Sequence, residues 1–164
     1  MKTETALLGG LAGAATVTLV HESVRRVAPK APRMDLLGMQ AISKGLKNIG
    51  LEPPAGEKLF AAAMVGDVVS NALYYSAAGI GSEKNLWLRG GALGLAAGVG
   101  AVLLPKPMGL NQRYSNRTVS TQLMTVGLYV TGALVATAVI KLLNKKKAVK
   151  NQKWEERLMT SAMG

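Results

Sequence analysis

The sequence of 164 residues predicts an all-α membrane protein with four transmembrane helices and a short amphipathic surface helix. Three stretches, residues 5–20, 90–105 and 118–140, contain no Lys, Arg, Asp, Glu or His. A fourth stretch, 59–82, is interrupted only by Asp67. About 18 or more consecutive apolar residues suffice to cross the hydrocarbon core as a helix. This pattern argues against a soluble enzyme and against a disordered chain.

The composition argues against several further classes of protein. The chain has no Cys, so it is not a disulfide scaffold, and with a single His it lacks a cluster that would hold a transition metal. No phosphate-binding loop motif is present, and we expect no cofactor. The net charge of +11 would suggest nucleic acid for a soluble protein. Because the basic residues flank the predicted spans, we expect anionic membrane lipids as partners instead, and no nucleic acid.

We predict a single integral membrane domain over residues 1–164, with spans at about 5–26, 59–80, 86–104 and 119–141. The first uncharged stretch has only sixteen residues, or about 24 Å of helix at a rise of about 1.5 Å per residue. It crosses the membrane only if the helix continues through His21 and Glu22. The alternative for this segment is a cleaved signal peptide, which would leave about three spans.

Between the first two spans lies a long connection with prolines at both of its edges. Inside it, residues 34–48 place Leu36, Met39 and Leu46 at helical spacing, with polar residues between them. This pattern predicts a short amphipathic helix on the membrane surface. A helix that packs on the mouth of the bundle is the alternative.

Small residues are abundant, with 19 Gly and a single Phe in the chain. In lipid, helices associate through close backbone approach, which small residues allow. Four-residue spacing marks the candidate packing glycines, which are Gly9, Gly13, Gly90, Gly94 and Gly98. They predict helix packing within one chain or a seam between copies in a homo-oligomer or larger complex.

The chain ends in a basic tail, residues 142–164, in which Lys145, Lys146 and Lys147 are candidates for binding anionic lipid headgroups. A solvated tail is the alternative. The positive-inside rule does not decide the orientation, because each side of the membrane would carry ten Lys and Arg. We expect cytoplasmic termini on the strength of the lysine cluster.

Asp67 is the focus of the candidate functional site, because an acid near the middle of a span is costly and has a partner as a rule. The first span ends on the side of the membrane where the second begins, so its polar end is the expected source of that partner. We predict an intramembrane polar site whose members are His21, Glu22, Arg25, Arg26, Asp67 and Asn71.

Three uses of this site are open. A buried pair between Asp67 and an Arg or His would fix how two spans dock, as in an accessory, scaffold or transport-associated subunit. In a small ion- or proton-coupled transporter, Asp67 would bind the cation. In a membrane-embedded enzyme, Arg25 and Arg26 would hold a lipid phosphate while an acid or His21 moved a proton. We favour the accessory role and a protein that is not an enzyme.

The opening Leu8-Gly9-Gly10-Leu11-Ala12-Gly13, followed by Pro29-Lys30-Ala31-Pro32-Arg33, resembles the start of the YagU-like small bacterial inner-membrane proteins. The resemblance covers about the first 35 residues. It implies a bacterial inner (cytoplasmic) membrane and transfers no site residue, because that group has no established activity.

Overall fold

The computed structural model describes residues 3–162, and of residues 155–157, 161 and 162 it describes the backbone only. Across that range the chain is helical and contains no strand. The α-helices are α1 (Thr3–Val27), α2 (Met34–Asn48), α3 (Gly56–Ser76), α4 (Leu86–Leu103) and α5 (Val119–Ala162). The prediction of an all-α fold is confirmed.

Within residues 3–162, three helical segments are long and apolar enough to cross a membrane. They are α1, the segment Glu83–Leu103 that contains α4, and α5. Helix α3 has 21 residues but carries Asp67, Ser70 and Asn71 in its middle, and it is not one of the three. Three of the four predicted spans are therefore helices with the length and apolar character that crossing a membrane requires, and the fourth span stays a prediction.

Helix α5 is the central helix of the fold, because both α1 and α4 pack along it. Helix α1 also packs against α3, and α2 packs on α3. Helices α1 and α5 run antiparallel: Thr5 donates to the Asn144 side chain at one end, and Thr121 donates to the Lys30 carbonyl at the other. Helices α3 and α4 contact each other little, which leaves a gap between them.

The centre of the fold is small and tightly packed. Val17 of α1, Tyr75 of α3 and Ala133 and Ala136 of α5 form one buried cluster with Tyr129. Tyr75 is fully buried, and its hydroxyl donates to the Tyr129 carbonyl over 3.0 Å. This hydrogen bond satisfies the one polar atom that the Tyr75 ring brings into the centre.

The α2 end of the molecule is held together by backbone and side-chain hydrogen bonds from the 105–118 segment. The Arg33 backbone N–H donates to the Tyr114 carbonyl over 2.7 Å. Lys44 donates to the Met108 carbonyl over 2.7 Å, and Gln40 accepts from the Asn111 N–H over 2.8 Å. These contacts hold α2 and the residue before it against the segment that follows α4.

Helix α5 has 44 residues, which is about 66 Å of helix, or twice the ~30 Å of a hydrocarbon core. The basic segment 142–162 is thus a continuation of α5. Residues 163 and 164 of the predicted tail lie outside the described residues.

Candidate functional site: a cleft beside Asp67

Asp67 accepts hydrogen bonds from two neutral side chains. Thr18 Oγ1 on α1 donates to Asp67 Oδ2 over 2.9 Å, and Asn71 Nδ2, one turn along α3, donates to Asp67 Oδ1 over 2.9 Å. No cation among the side chains that the structure describes lies at salt-bridge distance from this carboxylate. The α1 residue that contacts Asp67 is therefore Thr18, and not the Arg or His predicted from the sequence.

Beside Asp67 lies a cleft of about 710 Å³ between α2, α3 and α4, with Tyr129 of α5 among its walls. Helix α3 contributes Asp67, Ser70 and Tyr74, which share one face at spacings of three and four residues. Helix α4 contributes small residues, and α2 and the 105–110 segment contribute mostly apolar ones. The cleft is thus apolar with a polar strip along α3.

Two hydroxyls of this strip donate hydrogen bonds to backbone carbonyls. Ser70 Oγ donates to the Gly66 carbonyl over 2.7 Å, within its own helix. Tyr74 Oη donates to the Leu93 carbonyl over 3.1 Å, which joins α3 to α4 at the far end of the cleft. These hydroxyls and the Asp67 carboxylate can therefore act only as hydrogen-bond acceptors toward a molecule in the cleft.

Tyr129 is different, because its hydroxyl makes no hydrogen bond with any of the residues that the structure describes. The side chain lines the cleft and belongs to a residue that is only 7% exposed. Its ring meets the His21 ring edge to face at 5.7 Å, and His21 Nε2 is buried without a hydrogen-bond partner. No hydrogen bond joins His21 to Asp67 in the described part of the chain, so these two are not arranged as a proton relay.

The other members of the predicted site lie in a separate cluster at the α2 end. Arg25 Nε donates to Glu22 Oε1 over 2.7 Å, and Arg26 Nη2 lies 3.9 Å from Glu22 Oε2. Arg25 Nη1 also lies 3.9 Å from Asp35 Oδ2, at the start of α2. Asp35 in turn accepts a two-point hydrogen bond from Arg33, at 2.9 and 2.7 Å.

The Asp35 side chain is only 4% exposed. Burial opposes its charge, but the hydrogen bonds from Arg33 and from the Leu36 N–H, together with nearby Arg25, outweigh burial and hold the pKa of Asp35 below its usual range. The pKa of Arg33 is raised, chiefly by its hydrogen bond to Asp35. These charges therefore join α1 to the start of α2.

The structure thus separates the six predicted polar residues into three places. Asp67 and Asn71 adjoin Thr18, His21 adjoins Tyr129, and Glu22, Arg25 and Arg26 lie with Asp35. Sequence reasoning missed Thr18, Tyr129, Arg33 and Asp35. The adjacency of Arg33 and Asp35 at the start of a helix was an available signal, whereas nothing in the sequence marked Thr18 or Tyr129.

The predicted packing glycines lie against α5. A Cβ added at Gly90 would meet the Thr137 side chain, one at Gly94 would meet the Val130 Cα at 2.8 Å, and one at Gly98 would meet the Val126 Cα at 2.7 Å. On α1, Gly9 faces Ile140 and Ala136, and Gly13 faces the Gly132 carbonyl. In the structure all five lie at contacts within one chain.

The three lysines proposed for headgroups lie in α5 just beyond the uncharged stretch. Lys147 Nζ pairs with Glu4 Oε2 at 2.7 Å, whereas Lys145 and Lys146 are exposed. No group of three His, Cys, Asp or Glu able to hold a metal occurs in the described part of the chain.

Comparisons of the chain with protein-family models, with curated proteins and with solved structures find no match.

Proposed function

We propose that the chain is a four-span integral membrane protein, with α2 at the membrane surface, that acts as an accessory or scaffold subunit. The observation that carries this proposal is the outer face of α3. Val65, Val69 and Leu73 follow one another at four-residue spacing and are 63%, 53% and 60% exposed. Helix α3 is about 31 Å long, enough to cross the hydrocarbon core, and this stripe suits lipid.

The orientation of the polar groups supports an accessory role over transport or catalysis. Asp67 and Asn71 turn toward α1 and the cleft and are hydrogen-bonded to neutral partners, which lowers the cost of placing them among apolar helices. The arginines that would hold a lipid phosphate are engaged by Glu22 and Asp35 at the end of α1. A reactive constellation would need these groups in one place.

Two alternative functions are each favoured by one observation. Asp67 lines a cleft, as the binding residue of a small ion- or proton-coupled transporter would. Arg26 is 72% exposed and lies at the end of α1, where an enzyme acting on lipid phosphate would present a cation.

We also propose where the protein lies. The resemblance of the first 35 residues to YagU-like proteins favours a bacterial inner membrane. Lys145 and Lys146 in the α5 extension favour cytoplasmic termini and contact with anionic lipid.

The topology is tested with single cysteines, since the chain has none of its own. Exposed positions suit labelling by a membrane-impermeant thiol reagent in intact cells and inverted vesicles: Asn48→Cys, Lys106→Cys, Ser82→Cys and Asn151→Cys. We expect positions 48 and 106 to label from one side and 82 and 151 from the other. Labelling of 48 and 82 from the same side would show that α3 does not cross.

The accessory role is tested in proteoliposomes that contain a trapped pH-sensitive dye and carry an imposed proton or cation gradient. A scaffold leaves the rate of dissipation at that of protein-free vesicles, for the wild type and for Asp67→Asn alike. Flux through the wild type that Asp67→Asn abolishes would overturn the proposal in favour of a transporter.

A further inference from the structure

The size of the Asp67 cleft limits what can occupy it. At about 710 Å³ it falls in the range of small-molecule sites, about 300–1,000 Å³. The cleft is therefore the right size for one lipid-soluble molecule.

The hydrogen-bonding groups of the cleft specify the polar end of that molecule. Asp67 accepts from Thr18 and Asn71, but a carboxylate has about four acceptor sites, so it has room for a further donor. Tyr129, nine-tenths buried in the wall of the same cleft, has a hydroxyl without a partner among the described residues. The occupant should both donate a hydrogen bond and accept one.

We infer that the cleft binds an apolar chain that ends in a hydroxyl group, which donates to the Asp67 carboxylate and accepts from the Tyr129 hydroxyl. A hydroxyl is the smallest group with both capacities. A plain alkyl chain would leave the Tyr129 hydroxyl without a partner in apolar surroundings, which is costly, and would make no use of the acceptor sites that remain on Asp67. A chain that ends in a carboxylate would meet the Asp67 charge at close range and be repelled. This inference deepens the proposed function and rests on it, since a lipid-soluble molecule can enter the cleft only if the cleft faces lipid.

The experiment uses the full chain in phosphatidylcholine vesicles, whose headgroup carries no hydroxyl. The probe is 1-hexadecanol with a photoreactive diazirine in its chain, and cross-linked residues are mapped by mass spectrometry. We expect labelling of the α2 and α4 residues that line the cleft, displaced by unlabelled 1-hexadecanol. Hexadecane should displace it at least about fivefold less well, because loss of one hydrogen bond is worth about that factor.

Matched variants tie the labelling to the two polar groups. Tyr129→Phe keeps the ring and should weaken displacement by 1-hexadecanol about fivefold, whereas Tyr114→Phe, outside the cleft, should not change it. Ala96→Phe, which points bulk into the cleft, should abolish the displaceable labelling, and Val99→Phe, on the outer face of α4, should leave it intact. Asp67→Asn replaces a charged acceptor with a weaker neutral one and should also weaken displacement by 1-hexadecanol.

Equal displacement by hexadecane and 1-hexadecanol would overturn the inference, as would wild-type behaviour of Tyr129→Phe or of Ala96→Phe. The cysteine topology experiment is independent of these results. If the probe does not label the cleft but the cysteines label with the expected sidedness, only the inferred ligand is wrong. If the cysteines label with a different sidedness, the proposed fourth span is wrong.

Discussion

Helix α4 presents small residues on two faces, and only one of them is filled. Gly90, Gly94 and Gly98 lie against the backbone and side chains of α5. Ala96 and Gly100, on another face, line the cleft that separates α4 from α3. Both faces have the composition that lets helices approach closely in a membrane. Small residues therefore mark either a close contact or a space, and the neighbouring helix decides which.

The largest effect is expected on the filled face. Gly98→Ala would place a Cβ 2.7 Å from the Val126 Cα, a backbone atom that cannot swing away, so we expect a loss of about 2 kcal/mol in the free energy of unfolding. Gly91→Ala is the matched control, because nothing lies within 4 Å of its Cβ and Ala favours a helix by about 0.5–1 kcal/mol over Gly.

Denaturant unfolding of the purified protein in one detergent measures both glycine variants. Equal stabilities of Gly98→Ala and Gly91→Ala would show that the α4–α5 contact has space for a methyl group, and that the two faces of α4 do not differ in packing.

A smaller loss is expected where the cleft is held to α1. Thr18→Val keeps the shape of the side chain but removes the donor to Asp67 Oδ2, and we expect a cost of about 1–2 kcal/mol. Thr16→Val is the control, since Thr16 donates to the Ala12 carbonyl of its own helix. If Thr18→Val and Thr16→Val unfold at the same denaturant concentration, the hydrogen bond to Asp67 does not stabilise the wall of the cleft.

The sequence could predict the helical fold, because its uncharged stretches are long and bounded by prolines and charges. It could also predict that Asp67 needs a partner. It could not identify Thr18, because α1 carries several threonines and only the packing of α1 on α3 aims the hydroxyl of this one at Asp67. Nor could spacing show that Arg25 turns toward Asp35, since that pairing depends on how the chain folds back after Val27.

Acid should loosen the α2 side of the cleft before the glycine face. The pKa of Asp35 is held below its usual value, so the stability it contributes is fully present above its unfolded pKa of about 3.9 and is lost as pH falls through the folded value. We expect the protection factors of α2 amides, which are corrected for the intrinsic pH dependence of hydrogen exchange, to fall below about pH 4, while those of α4 fall less.

Asp35→Asn checks the origin of that acid effect. It should lower the protection factors of α2 amides at neutral pH, by a loss of about 1 kcal/mol in local stability, and remove their further fall on acidification. Persistence of the acid-induced fall in Asp35→Asn would assign it to another group.

The smallest expected effect is a gain on the open face. A Cβ at Gly100 would meet only the tip of the Leu104 side chain, at 3.4 Å, and would otherwise face the cleft. We expect Gly100→Ala to stabilise the protein by about 0.5 kcal/mol through helix propensity, the opposite sign from Gly98→Ala two residues away. A loss as large as that of Gly98→Ala would mean that α3 closes onto α4 in solution, and the two faces of α4 would then be alike.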